Sequence, residues 1–350
     1  MENLESKRYS RQIMLPEIGL EGQSLLKKAK VLVIGAGGLG CPILQYLAAS
    51  GVGNIGIVDN DTVSISNLHR QILYNSNDLG KPKAPTAAEK LNMLNPFVKI
   101  DSFELRLAHD NAKAIFENYD LVIDGSDNFP TRYLVNDTCV SLGIPLIFGS
   151  ILKFEGQIAV FNYQDGPQYR DLFPEPPAPD EVPNCSDIGV LGILPGLIGM
   201  YMANEAIKVI CKLGETLSGK LLVINTLHNQ HHIFKIQKKN HNPTIFEKME
   251  NVSTFSEMDA ETFLGMQKNM SDEWLLIDVR ELGDHEEQNL GGVNIPLNIL
   301  PQKIKDIPSG KSIMFYCQHG TRSKSAASYM SKNYQGKIYS LSGGIEAIID

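Results

Sequence analysis

The most constraining stretch of the chain is residues 31–40, where Val31, Leu32, Val33 and Ile34 run directly into Gly35-Ala36-Gly37-Gly38-Leu39-Gly40. Four apolar residues without alternation describe a strand covered on both faces. A glycine loop that opens onto a helix lets backbone amides approach a phosphate at the helix N-terminus. The sequence around it repeats the arrangement. Strand-like runs at 55–58, 98–103, 121–124, 145–148 and 157–161 alternate with helical stretches at 41–50, 84–95, 110–117 and 131–141. Such alternation predicts a doubly wound, mainly parallel α/β sheet.

Residues 164–183 are dense in proline and predict an irregular, ordered surface loop. A long helix is expected at about 191–212, then a hairpin from 220–227 and 232–237. The greasiest part, 189–203, is too short for a membrane span and carries Pro195, so it reads as a buried core helix. Polar text follows, and runs at 274–278, 312–316 and 337–340 build a second, small α/β domain. The predicted division of the 350 residues is 1–240, a linker at 241–255, and 256–350. A net charge of −8 without a basic tract argues against nucleic acid and membrane as partners. Five scattered cysteines with no CxxC pair, and a polar N-terminus, point to the cytoplasm.

Asp59 follows the second strand, where a carboxylate meets ribose hydroxyls. To that point a nicotinamide dehydrogenase fits as well as an ATP enzyme. The polar run that follows favours ATP. It includes Asp61, Ser66, Asn67, Leu68, His69, Arg70 and Gln71, with Lys83 beyond it, and no hydride-transfer acid or base is in view. Cations beside a triphosphate offset charge developing on its phosphoryl oxygens. Asp127 and Asn128 come after the fourth strand, at the end of the sheet where ligands bind, and Asp127 is a candidate Mg2+ ligand. The bland alternative makes Arg70, Lys83 and Asp127 solvated loop charges. Their expected convergence at one sheet edge speaks against it.

Together, GAGGLG, the string DNDTVSISNLHRQ, and KPKA, DGSDN and RYLVND after it resemble the MoeB/ThiF family from Arg8 to about Gln237. These are Rossmann-like, ubiquitin-activating-type adenylyltransferases that act on sulfur-carrier proteins. The resemblance implies that ATP with Mg2+ adenylates the C-terminal glycine of a small ubiquitin-like carrier ending in Gly-Gly, releasing pyrophosphate. Carried over by motif, Gly35, Gly37, Gly38, Gly40, Asp59, Asp61 and the segment Ser66, Asn67, Leu68, His69 hold the nucleotide. Asn67, Arg70, Gln71 and Lys83 meet its phosphates, and Asp127 with Asn128 positions metal and carboxylate. The family also implies a homodimer in which Arg11, or Arg8, reaches the neighbour's phosphate site; the alternative is a helix that merely caps the domain.

Members of the family commonly hold a structural zinc with two CxxC pairs. Here Gln168-Tyr169-Arg170-Asp171 and Asn240-His241-Asn242-Pro243 stand in those places, so no structural zinc is expected. His228, His231 and His232 read as exposed turn histidines. Cys185 matches a family cysteine and is either a nucleophile toward the carrier or a loop-packing residue.

A second resemblance rests on Cys317-Gln318-His319-Gly320-Thr321-Arg322-Ser323, between an apolar run and a helix. Backbone amides and Arg322 stabilise a thiolate there. With Ile277-Asp278-Val279-Arg280-Glu281 and Asn294-Ile295-Pro296-Leu297, it is similar to a single-domain rhodanese over about 256–350. The tight Cys-to-Arg spacing suits a persulfide sulfur. A phosphatase, which spaces these residues more widely, and a degenerate interaction module are the alternatives.

The combined expectation is an adenylyltransferase fused to a sulfurtransferase, fed by a cysteine desulfurase persulfide or by thiosulfate. The favoured carrier is the molybdopterin-synthase small subunit; thiazole-synthesis and tRNA-thiolation carriers remain open. A non-catalytic carrier-binding scaffold is the rival from another class.

Overall fold

The uninterrupted apolar strands need cover on both faces, and the fold supplies it. The structure, a computed structural model, describes residues 3–177, 189–239, 255–267, 273–331, 334 and 336–349. They fall into two units.

In the first unit one sheet contains β1 (Lys30–Ile34), β2 (Asn54–Val58), β3 (Lys99–Phe103), β4 (Leu121–Asp124), β5 (Leu146–Leu152), β6 (Glu155–Phe161), β7 (Lys220–Asn225) and β8 (Gln230–Lys235). Its order is β3-β2-β1-β4-β5-β6-β7-β8. Pairing is parallel from β3 through β5 and antiparallel from β5 through β8. Val31 and Val33 face one core, shared with the helices Gly40–Ser50, Lys83–Leu94 and Ile193–Cys211. Leu32 and Ile34 face the other, under His109–Phe116 and Phe129–Leu142. The chain runs from β1 outward to β3 and then returns to the other side of β1 as β4. That reversal leaves a crevice beyond the carboxyl ends of β1 and β4, the usual ligand position in such sheets.

The helix Ile193–Cys211 is long and apolar enough to cross a membrane by length and composition. In this fold Leu194, Ile198, Met202 and Ala206 are fully buried in the core. Two sheet glycines admit them: a methyl group at Gly149 would fall 2.2 Å from Met202 Sδ, and one at Gly156 would fall 2.2 Å from Ile198 Cδ1.

Most expected elements appear within a few residues of their predicted bounds. The proline-rich stretch is not wholly irregular, because Tyr169–Leu172 forms a helical turn. Its side chains fit the turn: Asp171 accepts from the Gln168 N–H, and Tyr169 is buried among Phe148, Phe161 and Phe173. Cys185 and, Phe255 apart, the expected linker lie outside the described residues.

The second unit is a parallel sheet of β9 (Phe255–Met258), β10 (Trp274–Asp278), β11 (Val293–Asn294), β12 (Ser312–Tyr316) and β13 (Ile338–Leu341), in the order β11-β10-β12-β13-β9. Asp278 ends β10 fully buried and receives bonds from Arg280 Nη2 at 2.7 Å and His285 Nδ1 at 2.9 Å. Burial pushes its carboxyl up, but the bonds from Arg280 and His285 outweigh burial and hold it below the usual carboxylate range. Its contribution to stability is therefore present at neutral pH and lost only as pH falls through that lowered value. Removing one member of a buried pair strands the other charge. Asp278→Ala is expected to destabilise the second unit by about 3–5 kcal/mol. Urea unfolding followed by the fluorescence of Trp274, the chain's single tryptophan, reads that unit directly.

Candidate functional site

The floor of the crevice is backbone. Gly35 has φ +89°, and a methyl group there would stand 3.1 Å from the Gly125 carbonyl. Gly40 starts its helix so close to the loop that a methyl group would fall 2.0 Å from the Gly35 carbonyl. The loop therefore closes tightly, and Gly37, Gly38 and Leu39, just before the helix, line the cleft floor with no backbone acceptor for their amides among the described residues. Asp59 braces the loop: Oδ2 accepts from Ala36 N–H at 2.7 Å and Oδ1 from Asp61 N–H at 2.8 Å. Burial raises the Asp59 carboxyl against the opposing charge of Lys83.

The cations stand above this floor. Lys83 opens the helix Lys83–Leu94 with its side chain only 6% exposed. A buried ammonium needs a counter-charge, and Lys83 Nζ lies 2.8 Å from Asp61 Oδ2, on a carboxylate that is itself 65% exposed. Arg70 Nη1 donates to the Ser66 carbonyl at 2.9 Å and meets His69 Nε2 at 2.8 Å. Asp127 is exposed, on a turn fixed by its neighbours. Asp124 Oδ1 accepts from Ser126 N–H, Arg132 Nη2 donates to the Ser126 carbonyl, and Asn128 caps the next helix through Thr131 N–H.

A cleft of about 300 Å³ brings together Gly35, Gly37, Gly38, Asp59, Asp61, Arg70, Gln71, Lys83, Asp127 and Asn128. Gly40, Ser66, Asn67, Leu68 and His69 are not among its lining residues; the first acts by close packing, and the others form the turn that carries Arg70. Arg11 is exposed on the helix Ser10–Ile13 and does not line its own chain's cleft. Sequence reasoning missed Arg106, Arg132 and Lys153, and the apolar wall of Leu105, Leu107 and Ile151. Arg106 and Lys153 follow β3 and β5, and only the strand order reveals that these ends face the same crevice. The nucleotide fit is good on two counts: a methyl group at Gly35, Gly38 or Gly40 would stand 3.1 Å or less from its nearest neighbour, and Gln71 Oε1 is buried without a protein partner.

In the second unit Cys317 follows the central strand β12 and is 1% exposed. Its Sγ accepts from Ser323 N–H at 3.4 Å. Gly320 has φ +85°, and a methyl group at Gly344 would strike the carbonyls of Cys317 and Gln318 at 2.3 Å. The loop is cross-braced by Ile345 N–H to the Cys317 carbonyl, Arg280 to Gln318, and Gln318 and His319 to Glu346. Arg322 Nη1 stands 4.0 Å from Asp284. The first unit's Cys41, Cys139 and Cys211 are buried, and burial pushes the Cys41 thiol up to about 12 and raises the other two.

A zinc clamp does not fit the residues present. Gln168–Asp171 offers no thiolate, His228, His231 and His232 are exposed, and no group of three His, Cys, Asp or Glu suited to a metal occurs among the described residues. Asn240-His241-Asn242-Pro243 lies outside the described residues; the first segment and the residues just before the second are tied by side chains. Arg170 Nη2 pairs with Asp137 at 2.7 Å and lies over the Tyr133 ring. Asp171 Oδ1 accepts from Lys239 N–H at 2.6 Å, and Lys238 pairs with Asp165.

Residues 9–245 match the ThiF family model. The chain belongs to the ThiF family. Residues 264–350 match the rhodanese-like domain. A sulfur carrier protein adenylyltransferase of Thermus thermophilus is 53% identical over 64% of this chain and 84% of its own length. The probable adenylyltransferase/sulfurtransferase MoeZ of Mycobacterium tuberculosis is 41% identical over 98% of this chain and 92% of its own. Among solved structures, Escherichia coli MccB with MccA-N7isoASN shares the fold at TM-score 0.60 and 24% identity, covering 66% of this chain and 73% of that one. The ThiF-family chain is an adenylyltransferase with a sulfurtransferase domain.

The hydrogen-bonded clasp makes a prediction about metal. Dialysis against a strong chelator should leave the melting temperature of the first unit unchanged, whereas Asp171→Ala should lower it by roughly 3–6 °C. One tightly held zinc per chain in elemental analysis would contradict this.

Proposed function

We propose that the first unit adenylates the C-terminal glycine of a small ubiquitin-like sulfur carrier, and that the second delivers sulfur to it from a persulfide on Cys317. The observation that carries the reading is the meeting of Arg70, Lys83 and Asp127, from three separate turns, over one glycine floor. A carboxylate oxygen of the carrier attacks the α-phosphorus of ATP, and the bond to the bridging oxygen breaks as pyrophosphate leaves. Two anions have to be brought together in line, so the work is positioning and charge compensation rather than general-base catalysis. Lys83 and Arg70 offset the phosphate charge. Asp127 would hold Mg2+, which supplies further charge neutralisation when bound.

The acyl adenylate has AMP as leaving group. Attack by the terminal persulfide sulfur expels AMP and leaves an acyl disulfide on Cys317. A thiolate from solution then attacks Cys317 Sγ, the S–S bond breaks with the thiocarboxylate as leaving group, and the mixed disulfide left on Cys317 is reduced by a second thiol. One chain carrying both activities raises the local concentration of donor near a hydrolysis-prone intermediate. The motifs SNLHRQ and PNCSDIGVLG favour the molybdopterin-synthase carrier. The exposed Arg11, absent from its own cleft, suits a homodimer in which each chain completes the other's phosphate site.

ATP–pyrophosphate exchange with each candidate carrier tests the reading, and exchange with none would leave a carrier-binding scaffold. Arg70→Ala and Lys83→Ala should each slow exchange by about 10²–10³-fold. Cys317→Ser should abolish thiosulfate-to-cyanide transfer while exchange continues. Mixing the inactive Arg11→Ala and Arg70→Ala chains should restore roughly a quarter of the wild-type rate, because half the dimers then hold one complete site. No recovery on mixing would remove Arg11 from the neighbour's site.

A further inference from the structure

We propose that His69 is a positioning residue that holds Arg70 ready for the nucleotide phosphates without touching the nucleotide; the inference rests on the adenylation reading. His69 is not among the residues lining the cleft, whereas Arg70 is. The two side chains meet at 2.8 Å between His69 Nε2 and Arg70 Nη1. A guanidinium only donates, so in this contact Nε2 of the imidazole is the acceptor. The same Nη1 also donates to the Ser66 carbonyl at 2.9 Å. Both restraints fall on one nitrogen, and Nε and Nη2 of Arg70 have no partner among the described residues.

The imidazole is itself confined from the far side. Gly192 lies against it just before the helix Ile193–Cys211, and a methyl group there would stand 2.6 Å from the His69 carbonyl and 2.9 Å from its Nδ1. Only a glycine lets the ring sit between the start of that helix and Arg70. An arginine has several rotatable bonds and loses much freedom when it clamps an anion. Held in advance by Ser66 and His69, Arg70 loses that freedom on folding rather than on binding ATP.

The test is the affinity of the full chain for ATP·Mg2+, measured by titration calorimetry, with folding checked by thermal melting. His69→Leu should weaken binding about tenfold, equivalent to about 1.4 kcal/mol. His69→Gln, whose amide oxygen reaches a similar position, should recover most of the loss. In a double-mutant cycle His69→Leu should add nothing to Arg70→Ala, since it acts through that side chain. Gly192→Ala, which displaces the ring from the other side, should reproduce the weakening and covers the case in which His69→Leu does not fold. Wild-type affinity in both His69→Leu and Gly192→Ala, or additive losses in the cycle, would overturn the proposal while the adenylation reading stands. A wild-type chain that binds no ATP would overturn both.

Discussion

At the end of this sheet two backbone turns approach so closely that a methyl group at Gly35 or Gly125 would stand 3.1–3.2 Å from a carbonyl of the facing strand end or turn, and the first unit is organised around that approach. The loop after β1 presses on the turn after β4, and its residues Gly37, Gly38 and Leu39 line the crevice just before the helix Gly40–Ser50 begins. The same contact sets Asp127 across from Lys83 and Arg70. Nothing in the site depends on a single strong bond. It depends on three loops being unable to move apart, with Asp59 tying one to the next through Ala36 and Asp61.

The second unit reaches a comparable rigidity by other means. Its cysteine loop is braced by a chain of side chains running from buried Asp278 through Arg280 and Gln318 to Glu346 and His319. On the proposed reading, the difference follows from the chemistry each loop would serve. A phosphate needs bare backbone amides and room to enter. A sulfur atom is small, so side chains can close around it, and Cys317 is accordingly almost wholly buried.

The strands, the glycine loop and the cysteine loop were legible because each is local: an unbroken apolar run, a fixed glycine pattern, a cysteine between a strand and a helix. Arg106 and Lys153 were not, since nothing near them in sequence says that β3 and β5 end beside β1. The edge strands β9 and β11 also escaped notice. Both are short, and their mixed residues take extended form from the neighbour they pair with rather than from their own pattern. The motif SNLHRQ marked the right neighbourhood but blurred two roles: Arg70 and Gln71 line the cleft, while Ser66 and His69 face Arg70 instead. Motif reasoning cannot separate a residue that touches a ligand from one that holds its neighbour.

Burial of Cys41, Cys139 and Cys211 acquires meaning if Cys317 carries sulfur as proposed. Sulfane sulfur hops readily between thiolates, and an enzyme that handles it risks scrambling its cargo onto itself. Cys41, Cys139 and Cys211 sit where water hardly reaches, with their ionisation pushed well above neutral pH. They are poor acceptors for a migrating sulfur atom. On the proposed reading, the hydrophobic core thus works as insulation, keeping sulfur carried on Cys317 from passing to these three thiols.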